Sequence, residues 1–279
     1  EAEHSEFRIQ KAAGRMWNEE ELDTGLHVTT PDAPDVQRYL GQMVEAGCAA
    51  AILETTSHGL HQGRVAACDF DVAVVTNVTH EHLDYHGSWE AYLAAKALLF
   101  HSLATASRKT DQRGVQPKVA VLNADDRSYQ ALAAIPAERQ LSYGLETAHV
   151  DLTAEQITHD ADRTRFLART PAGAAPVETR LIGRFNVYNC LAAIGAGLAV
   201  GLPLEAITQG IASLAGVSGR MERIDCGQGF LALVDFAHTP VSLARALEAA
   251  RPKTPGRLVA VFGSAGLRDV ETRRLMAET

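Results

Sequence analysis

An α/β fold is what this 279-residue sequence predicts: a mostly parallel sheet with helices on both faces, plus a smaller antiparallel sheet. Three observations carry that expectation. The runs 48–53 (CAAAIL) and 71–76 (DVAVVT) are short, apolar and without alternation, as strands buried on both faces are. Each leads through a polar loop towards the next element, the order of a βα unit. Residues 139–182 then change to short alternating runs separated by turn residues, the pattern of antiparallel strands.

Taken in order, residues 1–28 are polar, with short strands expected at 7–9 and 15–17 around Gly14. His27-Val28-Thr29-Thr30-Pro31-Asp32 follows. Pro31 pushes Thr30 out of the helical region, and Asp32 is placed to cap a helix over 34–46. Thr29 and Thr30 put hydroxyls beside that helix N-terminus, which suits either an anionic ligand or simple capping. Strand 48–53 ends at Glu54, a carboxylate positioned to hold a cation or to cap the next helix. Ser57, Gln62 and Arg64 lie just beyond, within reach of the same crevice.

Strand 71–76 ends at the densest chemistry in the chain. His80, Glu81, His82, Asp84 and His86 fall within seven residues, just past a strand's carboxyl end, where open α/β sheets place ligands. A metal or phosphate site fits such a cluster better than chance does. Ser88 is placed to cap the next helix, whose apolar stripe is Trp89, Tyr92, Leu93, Leu99, Phe100 and Leu103. Lys96 falls in the middle of that stripe. It either snorkels to the edge of the core or serves as a functional amine, since desolvation favours the neutral, reactive form.

Further elements are a strand at 118–123, a helix at 126–135, and alternating runs at 140–143, 151–157, 164–168 and 177–181. A helix follows from Arg184 to about Val200, and another starts after Pro203. A boundary near 216–219 divides an expected domain 1–217 from the start of a second α/β unit, 218–279. That unit comprises strands 220–225 and 230–236, helix 241–251, strand 257–262 and helix 269–276.

Composition narrows the function classes. Hydrophobic residues make up 46% and charged residues 22%, an ordinary globular balance. A net charge of −8 argues against a nucleic-acid partner. Cys48, Cys68, Cys190 and Cys226 are far apart with no CxxC pair, which predicts free thiols in a reducing, cytoplasmic setting. No run is long and apolar enough to span a membrane, and no signal peptide is visible.

Seven segments together resemble the Mur ligase family, most closely its tripeptide-synthetase (MurE) type. They are VTTPDAP (28–34), LETTSHGLHQGRV (53–65), TNVTHEHLDYHGSWEAYLAAKALLF (76–100), GRFNVYNCLAA (183–193), SGRMERID (218–225), VDFAHTP (234–240) and FGSAGLRD (262–269). The resemblance implies a Mur ligase central, ATP-binding domain followed by the start of a Rossmann-like C-terminal domain. It implies an ATP-dependent carboxylate–amine ligase of peptidoglycan and cell-wall synthesis, bearing on cell shape and division. Such an enzyme adds a diamino acid to UDP-MurNAc-L-Ala-D-Glu through an acyl phosphate, with Mg²⁺ neutralising phosphate charge. The substrates would be small molecules and the protein a monomer.

Residue by residue, the resemblance makes Glu54 and His82 magnesium ligands and Lys96 a carboxylated lysine able to hold a second Mg²⁺. His82 and Lys96 would be the catalytic pair. It makes Thr29, Thr30, Ser57, Gln62 and Arg64 contacts to the UDP-MurNAc part. Asn77, Asn186, Asn189, Arg220, Asp235 and His238 become ATP contacts. Three departures stand beside it. No GxxGKT phosphate loop occurs; Ala265 and Thr272 replace a usual glycine and lysine; no Asn-Pro-Arg selector motif is present. The expectation is therefore a chain cut from a longer protein at both ends and inactive alone.

Two rivals remain. A degenerate Mur-like domain could bind a UDP-sugar or a partner without chemistry. A metallo-hydrolase could use His80, His82 and Asp84, although Tyr85 stands where that HxHxDH pattern has its next histidine. Folylpolyglutamate and cyanophycin synthetases share the central domain, but the TTP and TSHGLxQxR segments argue against them.

Overall fold

The structure is a computed structural model and describes residues 6–13, 16–23, 29–79, 83–111, 114–160, 163–263 and 270–279. In chain order its elements begin with β1 (Glu6–Ala13), β2 (Met16–Asp23), α1 (Ala33–Glu45), α2 (Ser57–His61), β3 (Val72–Val74), α3 (Leu83–His86) and α4 (Trp89–Thr105). Next come β4 (Thr110–Asp111), β5 (Gly114–Val115), β6 (Val119–Asn123), α5 (Tyr129–Ala133) and β7 (Arg139–Tyr143). β8 (Thr153–His159), β9 (Thr164–Thr170), β10 (Gly173–Thr179), α6 (Arg184–Ala199) and α7 (Leu204–Ser213) follow. The last elements are β11 (Glu222–Ile224), β12 (Ala232–Val234), α8 (Pro240–Ala250) and α9 (Val270–Glu278).

The chain gathers into two compact units. The first is Glu1–Ala73, Asn77–Ala120 and Asp126–Gln140; the second is Val74–Thr76, Val121–Asp125 and Leu141–Thr279. The main sheet has the order β3-β6-β7. In the first unit Val119 donates to the Asp71 carbonyl and Arg139 to the Lys118 carbonyl; in the second, Val75 donates to Val121 and Ala124 to Tyr143. Both pairings run the same way along the chain, so the sheet is parallel. All five residues of β6 are buried, as its unbroken apolar run requires of a central parallel strand.

Within the first unit, β1 and β2 pair as an antiparallel hairpin from Glu6↔Asp23 to Ala13↔Met16, longer than the expected strands. Gly14 and Arg15 lie outside the described residues. α1 buries Val36, Tyr39 and Met43, with a proline in its first turn. Asp32 occupies the N-cap position in extended backbone but makes no capping bond through its side chain. Its carboxylate lies 3.4 Å from Arg64 Nε instead. Ser88 does cap α4, its Oγ accepting from Ala91 N. α4 buries Tyr92, Leu99, Phe100 and Leu103, as its stripe predicts.

The second unit holds an antiparallel sheet in the order β10-β9-β8. α6 lies close against β6: a Cβ on Gly195 would come within 2.7 Å of Val121 Cγ1, so only glycine permits the approach. β11 and β12 pair antiparallel, Glu222↔Val234 to Ile224↔Ala232. α8 starts with a capping box between Thr239 and Ser242.

Four expectations are corrected here. Residues 48–53 form no strand. Cys48 and Leu53 pack on Tyr39 and Met43, while Ile52 is 96% exposed and finds no neighbouring strand among the described residues. Residues 257–262 likewise form none, with Val261 open to solvent. Residues 140–143 belong to the parallel sheet as β7 rather than to the antiparallel set, because β6 offers them a buried ladder. The helix at 126–135 contracts to α5, since Asp126 spends its carboxylate on Ser128 N and Oγ in a turn.

Candidate functional site

In the first unit the candidate residues converge on Thr30. Its side chain is 1% exposed. The Thr30 hydroxyl donates to the Glu54 carbonyl at 3.0 Å, accepts from Thr56 N at 2.9 Å and lies 3.1 Å from Thr56 Oγ1. Thr56 Oγ1 in turn caps α2 by accepting from Gly59 N. A Cβ on Gly59 would sit 2.9 Å from Thr30 Cβ and Cγ2, so this glycine sets how tightly α2 closes on Thr30. The Thr30 carbonyl accepts from Arg64 Nη1 at 2.7 Å, and Arg64 Nε donates to Gln62 Oε1 at 2.9 Å.

One threonine thus anchors both the backbone of Glu54 and the guanidinium of Arg64. The Glu54 side chain is exposed and makes no hydrogen bond or ion pair among the described residues. Thr29, next to Thr30 in sequence, is half-buried. The Thr30 hydroxyl is already committed within the protein. Ser57 is 1% exposed, with His86 Nε2 at 3.0 Å from its Oγ.

Past β3, Asn77 is exposed, and the next residue is pinned twice. Val78 N donates to Asp126 Oδ1 at 3.2 Å, and the Val78 carbonyl accepts from Trp89 Nε1 at 2.9 Å. Lys96 is half-buried on α4, with its Nζ 5.8 Å from the Tyr92 ring centroid. The inward position that the stripe predicts for Lys96 is met only in part. His80, Glu81 and His82 lie outside the described residues, as does the Asp84 side chain, so the metal role of His82 stays an expectation. Ala265 and the Thr272 side chain lie outside them too.

Among the described residues no three His, Cys, Asp or Glu side chains gather into a metal-holding group. Among the described residues of the first unit, Glu54 is an exposed carboxylate and Lys96 an amine that carboxylation would turn into an oxygen ligand. Hard oxygen donors completed by waters and substrate phosphates are what Mg²⁺ takes, so these residues fit that ion.

In the second unit, α6 opens at Gly183, which has φ +101°, a conformation glycine adopts freely. Asn186 Nδ2 donates to the Ile182 carbonyl at 2.8 Å, and Asn189 Nδ2 donates to Asn186 Oδ1 at 3.0 Å. Asn186 is buried and Asn189 exposed, so the pair presents one amide outward. Farther along, Asp235 accepts from Met221 N at 2.7 Å and Ala237 N at 2.9 Å, which fixes the turn bearing Arg220 and His238. The Arg220 guanidinium lies over the Phe236 ring at 4.6 Å. His238 Nδ1 lies 3.0 Å from the Phe236 carbonyl. All three charged or ionisable side chains are exposed or half-exposed.

Sequence reasoning missed Asp125 and Tyr188. Asp125 accepts from Leu145 N (2.6 Å), Glu146 N (3.0 Å), Thr147 N (2.7 Å) and Tyr188 Oη (2.8 Å). Burial alone would push its carboxyl up, but these donors, Thr147 first, hold it down at about 2. Burial and the Asp125 charge push Tyr188 up to about 12. An acidic residue just past the end of β6 was the available signal. Tyr85, which bonds to Gln62 and His61, was also passed over.

Comparison with known proteins accords with this layout. Residues 8–197 match the Mur ligase middle domain and residues 219–279 the Mur ligase glutamate ligase domain. The UDP-N-acetylmuramyl-tripeptide synthetase of Roseiflexus sp. (strain RS-1) is 45% identical over 276 residues, covering 96% of this chain and 52% of that protein. The UDP-N-acetylmuramoyl-L-alanyl-D-glutamate–2,6-diaminopimelate ligase of Geobacillus kaustophilus (strain HTA426) is 46% identical over 250 residues, covering 90% and 50%. A solved structure of a ligase of that latter name superposes with a TM-score of 0.70 at 33% identity, over 97% of this chain and 53% of its own. The chain spans about half the length of the curated relatives it matches.

Proposed function

This chain belongs to the Mur ligase family, and on that premise we propose that the protein is an ATP-dependent ligase of peptidoglycan precursor synthesis. It joins a diamino acid to UDP-MurNAc-L-Ala-D-Glu. The observation that carries the reading is the double use of Thr30, which anchors the backbone of Glu54 and the guanidinium of Arg64. An exposed carboxylate at Glu54, in a loop held by the same threonine that holds the Arg64 guanidinium, suits a site for phosphorylated, acidic substrates. The relatives named for 2,6-diaminopimelate make that amino acid the first to try.

The chemistry has two steps. A carboxylate oxygen of the acceptor displaces ADP from the γ-phosphorus of ATP, giving an acyl phosphate. The neutral amine of the incoming amino acid then forms the C–N bond as inorganic phosphate leaves, and the surplus proton passes to solvent. Bound Mg²⁺ supplies charge neutralisation at the phosphates. Glu54 and His82 would hold it, with Lys96 after its Nζ has added CO₂ and released one proton.

Thr29, Ser57, Gln62 and Arg64 meet the UDP-MurNAc-dipeptide, with Thr30 behind them as the post that holds the loop. Asn77, Asn186, Asn189, Arg220, Asp235 and His238 serve ATP. The enzyme works as a cytoplasmic monomer on small molecules; no described helix is long and apolar enough to cross a membrane.

The test is ligation by the full gene product with ATP, Mg²⁺ and UDP-MurNAc-L-Ala-D-Glu, offered diaminopimelate, lysine or ornithine in turn. The expected result is ADP release matched by UDP-MurNAc-tripeptide and dependent on one of the three. Purified, folded enzyme that ligates none of them refutes the reading.

A further inference from the structure

We infer that Tyr85 is a positioning residue for the acceptor substrate, acting through Gln62 and Arg64. The inference rests on the proposed function, in which these two residues meet the UDP-MurNAc-dipeptide. Gln62 follows α2 at its C-cap and is exposed, so its long side chain would otherwise sample many rotamers. Both ends of its amide are engaged instead. Nε2 donates to Tyr85 Oη at 3.2 Å, and Oε1 accepts from Arg64 Nε at 2.9 Å.

This arrangement sets which way the amide points. With Arg64 Nε able only to donate, Oε1 must face it, and Nε2 must then face an acceptor. The Tyr85 hydroxyl is that acceptor. Its own proton is free for His61 Nδ1, 3.0 Å away, when that nitrogen is unprotonated. Arg64 is thereby held at Nε by Gln62, with the Asp32 carboxylate 3.4 Å from the same nitrogen, and at Nη1 by the Thr30 carbonyl.

Tyr85 is itself fixed by its ring's neighbours rather than by its helix. α3 has four residues, too few to be stable alone. The Tyr85 ring centroid lies 4.1 Å from His58, 4.7 Å from His86 and 5.6 Å from His61. His86 adds a second tie to the same loop, through Ser57 Oγ. The rings therefore present the hydroxyl at a set height while Tyr85 stays 40% exposed. Prearranging Gln62 and Arg64 lowers the ordering cost of binding and leaves the reacting groups untouched.

The experiment is steady-state ligation by the full gene product, wild type, Y85F, Q62A and the double variant, varying UDP-MurNAc-dipeptide and ATP separately. Y85F removes one oxygen and keeps the ring stack, so the fold is retained, which a thermal melt checks. The expected result is a KM for UDP-MurNAc-dipeptide raised roughly threefold to tenfold, the loss of about one net hydrogen bond. The KM for ATP and kcat stay within about twofold of wild type. In the Q62A background, Y85F adds nothing, because its effect runs through that amide. An unchanged KM for UDP-MurNAc-dipeptide overturns the inference. So does an equal rise for both substrates, or an effect in Q62A as large as in wild type. Wild-type enzyme that ligates no diamino acid sinks the parent reading and this one together, and is told apart because it appears before any variant is compared.

Discussion

Asp125→Asn tests the most heavily bonded carboxylate in the described structure. Asp125 Oδ2 accepts from Leu145 N, Glu146 N and Tyr188 Oη, while Oδ1 accepts from Thr147 N. Asparagine keeps one oxygen. Placed to serve the three donors, it turns its NH₂ onto Thr147 N–H and removes the charge that strengthened all four bonds. Glu146 and Thr147 are exposed and can turn to water, so the expected loss is about 2 kcal/mol rather than the sum of four bonds.

The depressed carboxyl gives an independent bound. A shift from 3.8 to about 2 corresponds to about 2 kcal/mol at full strength, and partial exposure discounts it to roughly 1 kcal/mol from this source. The sign follows from the lowered native value. The stabilisation is complete above the unfolded value of 3.8 and disappears as pH falls through about 2. Urea unfolding of wild type and D125N, at about pH 7 and then in steps down to about pH 2, is the assay. The two curves should differ by about 1–2 kcal/mol near neutrality and converge in acid. A difference under about 0.5 kcal/mol near neutrality, or one that persists undiminished in acid, refutes the reasoning.

Two further perturbations probe packing and the Thr30 post. Gly195→Val drives a branched side chain into Val121 across the α6–β6 contact and should lower stability by about 2–3 kcal/mol, read by urea unfolding; a neutral result would mean the contact is loose. Thr30→Val keeps the shape but removes the hydroxyl from Glu54 O, Thr56 N and Thr56 Oγ1. It should cost about 1–3 kcal/mol and weaken UDP-MurNAc-dipeptide binding in calorimetry, whereas unchanged affinity would detach the post from the site.

Much of this architecture was legible because it depends on local chemistry. Helices α1, α4 and α7 announce themselves by Pro34, Ser88 and Pro203 at their starts, α4 also by its apolar stripe, and α6 by its apolar run. β6 reads as a central strand because every residue in it is apolar but the last. The misread segments depend on neighbours. Residues 48–53 and 257–262 have the composition of buried strands, yet a strand needs a partner, and Ile52 and Val261 face solvent. β7 alternates as an antiparallel strand would, and only its ladder with β6 decides otherwise.

The site divides in the same way. Glu54 and Lys96 were marked by a carboxylate at the end of an apolar run and a cation in an apolar stripe. For Thr30 the sequence leaves a ligand hydroxyl and simple capping both open, because nothing in it reveals that Glu54 and Thr56 bond to that hydroxyl. Asp125 stayed hidden because its partners are mostly backbone N–H groups about twenty residues away in sequence, which carry no residue signature.

The central claim, a ligase that uses Lys96 as a carboxylated lysine, is tested most directly by Lys96→Ala in the full gene product. The account predicts folded enzyme whose ligation falls about a hundredfold or more and is partly restored by millimolar amounts of a short carboxylic acid that replaces the missing anion. Folded Lys96→Ala enzyme with undiminished turnover, or lost turnover that no such acid restores, would contradict it.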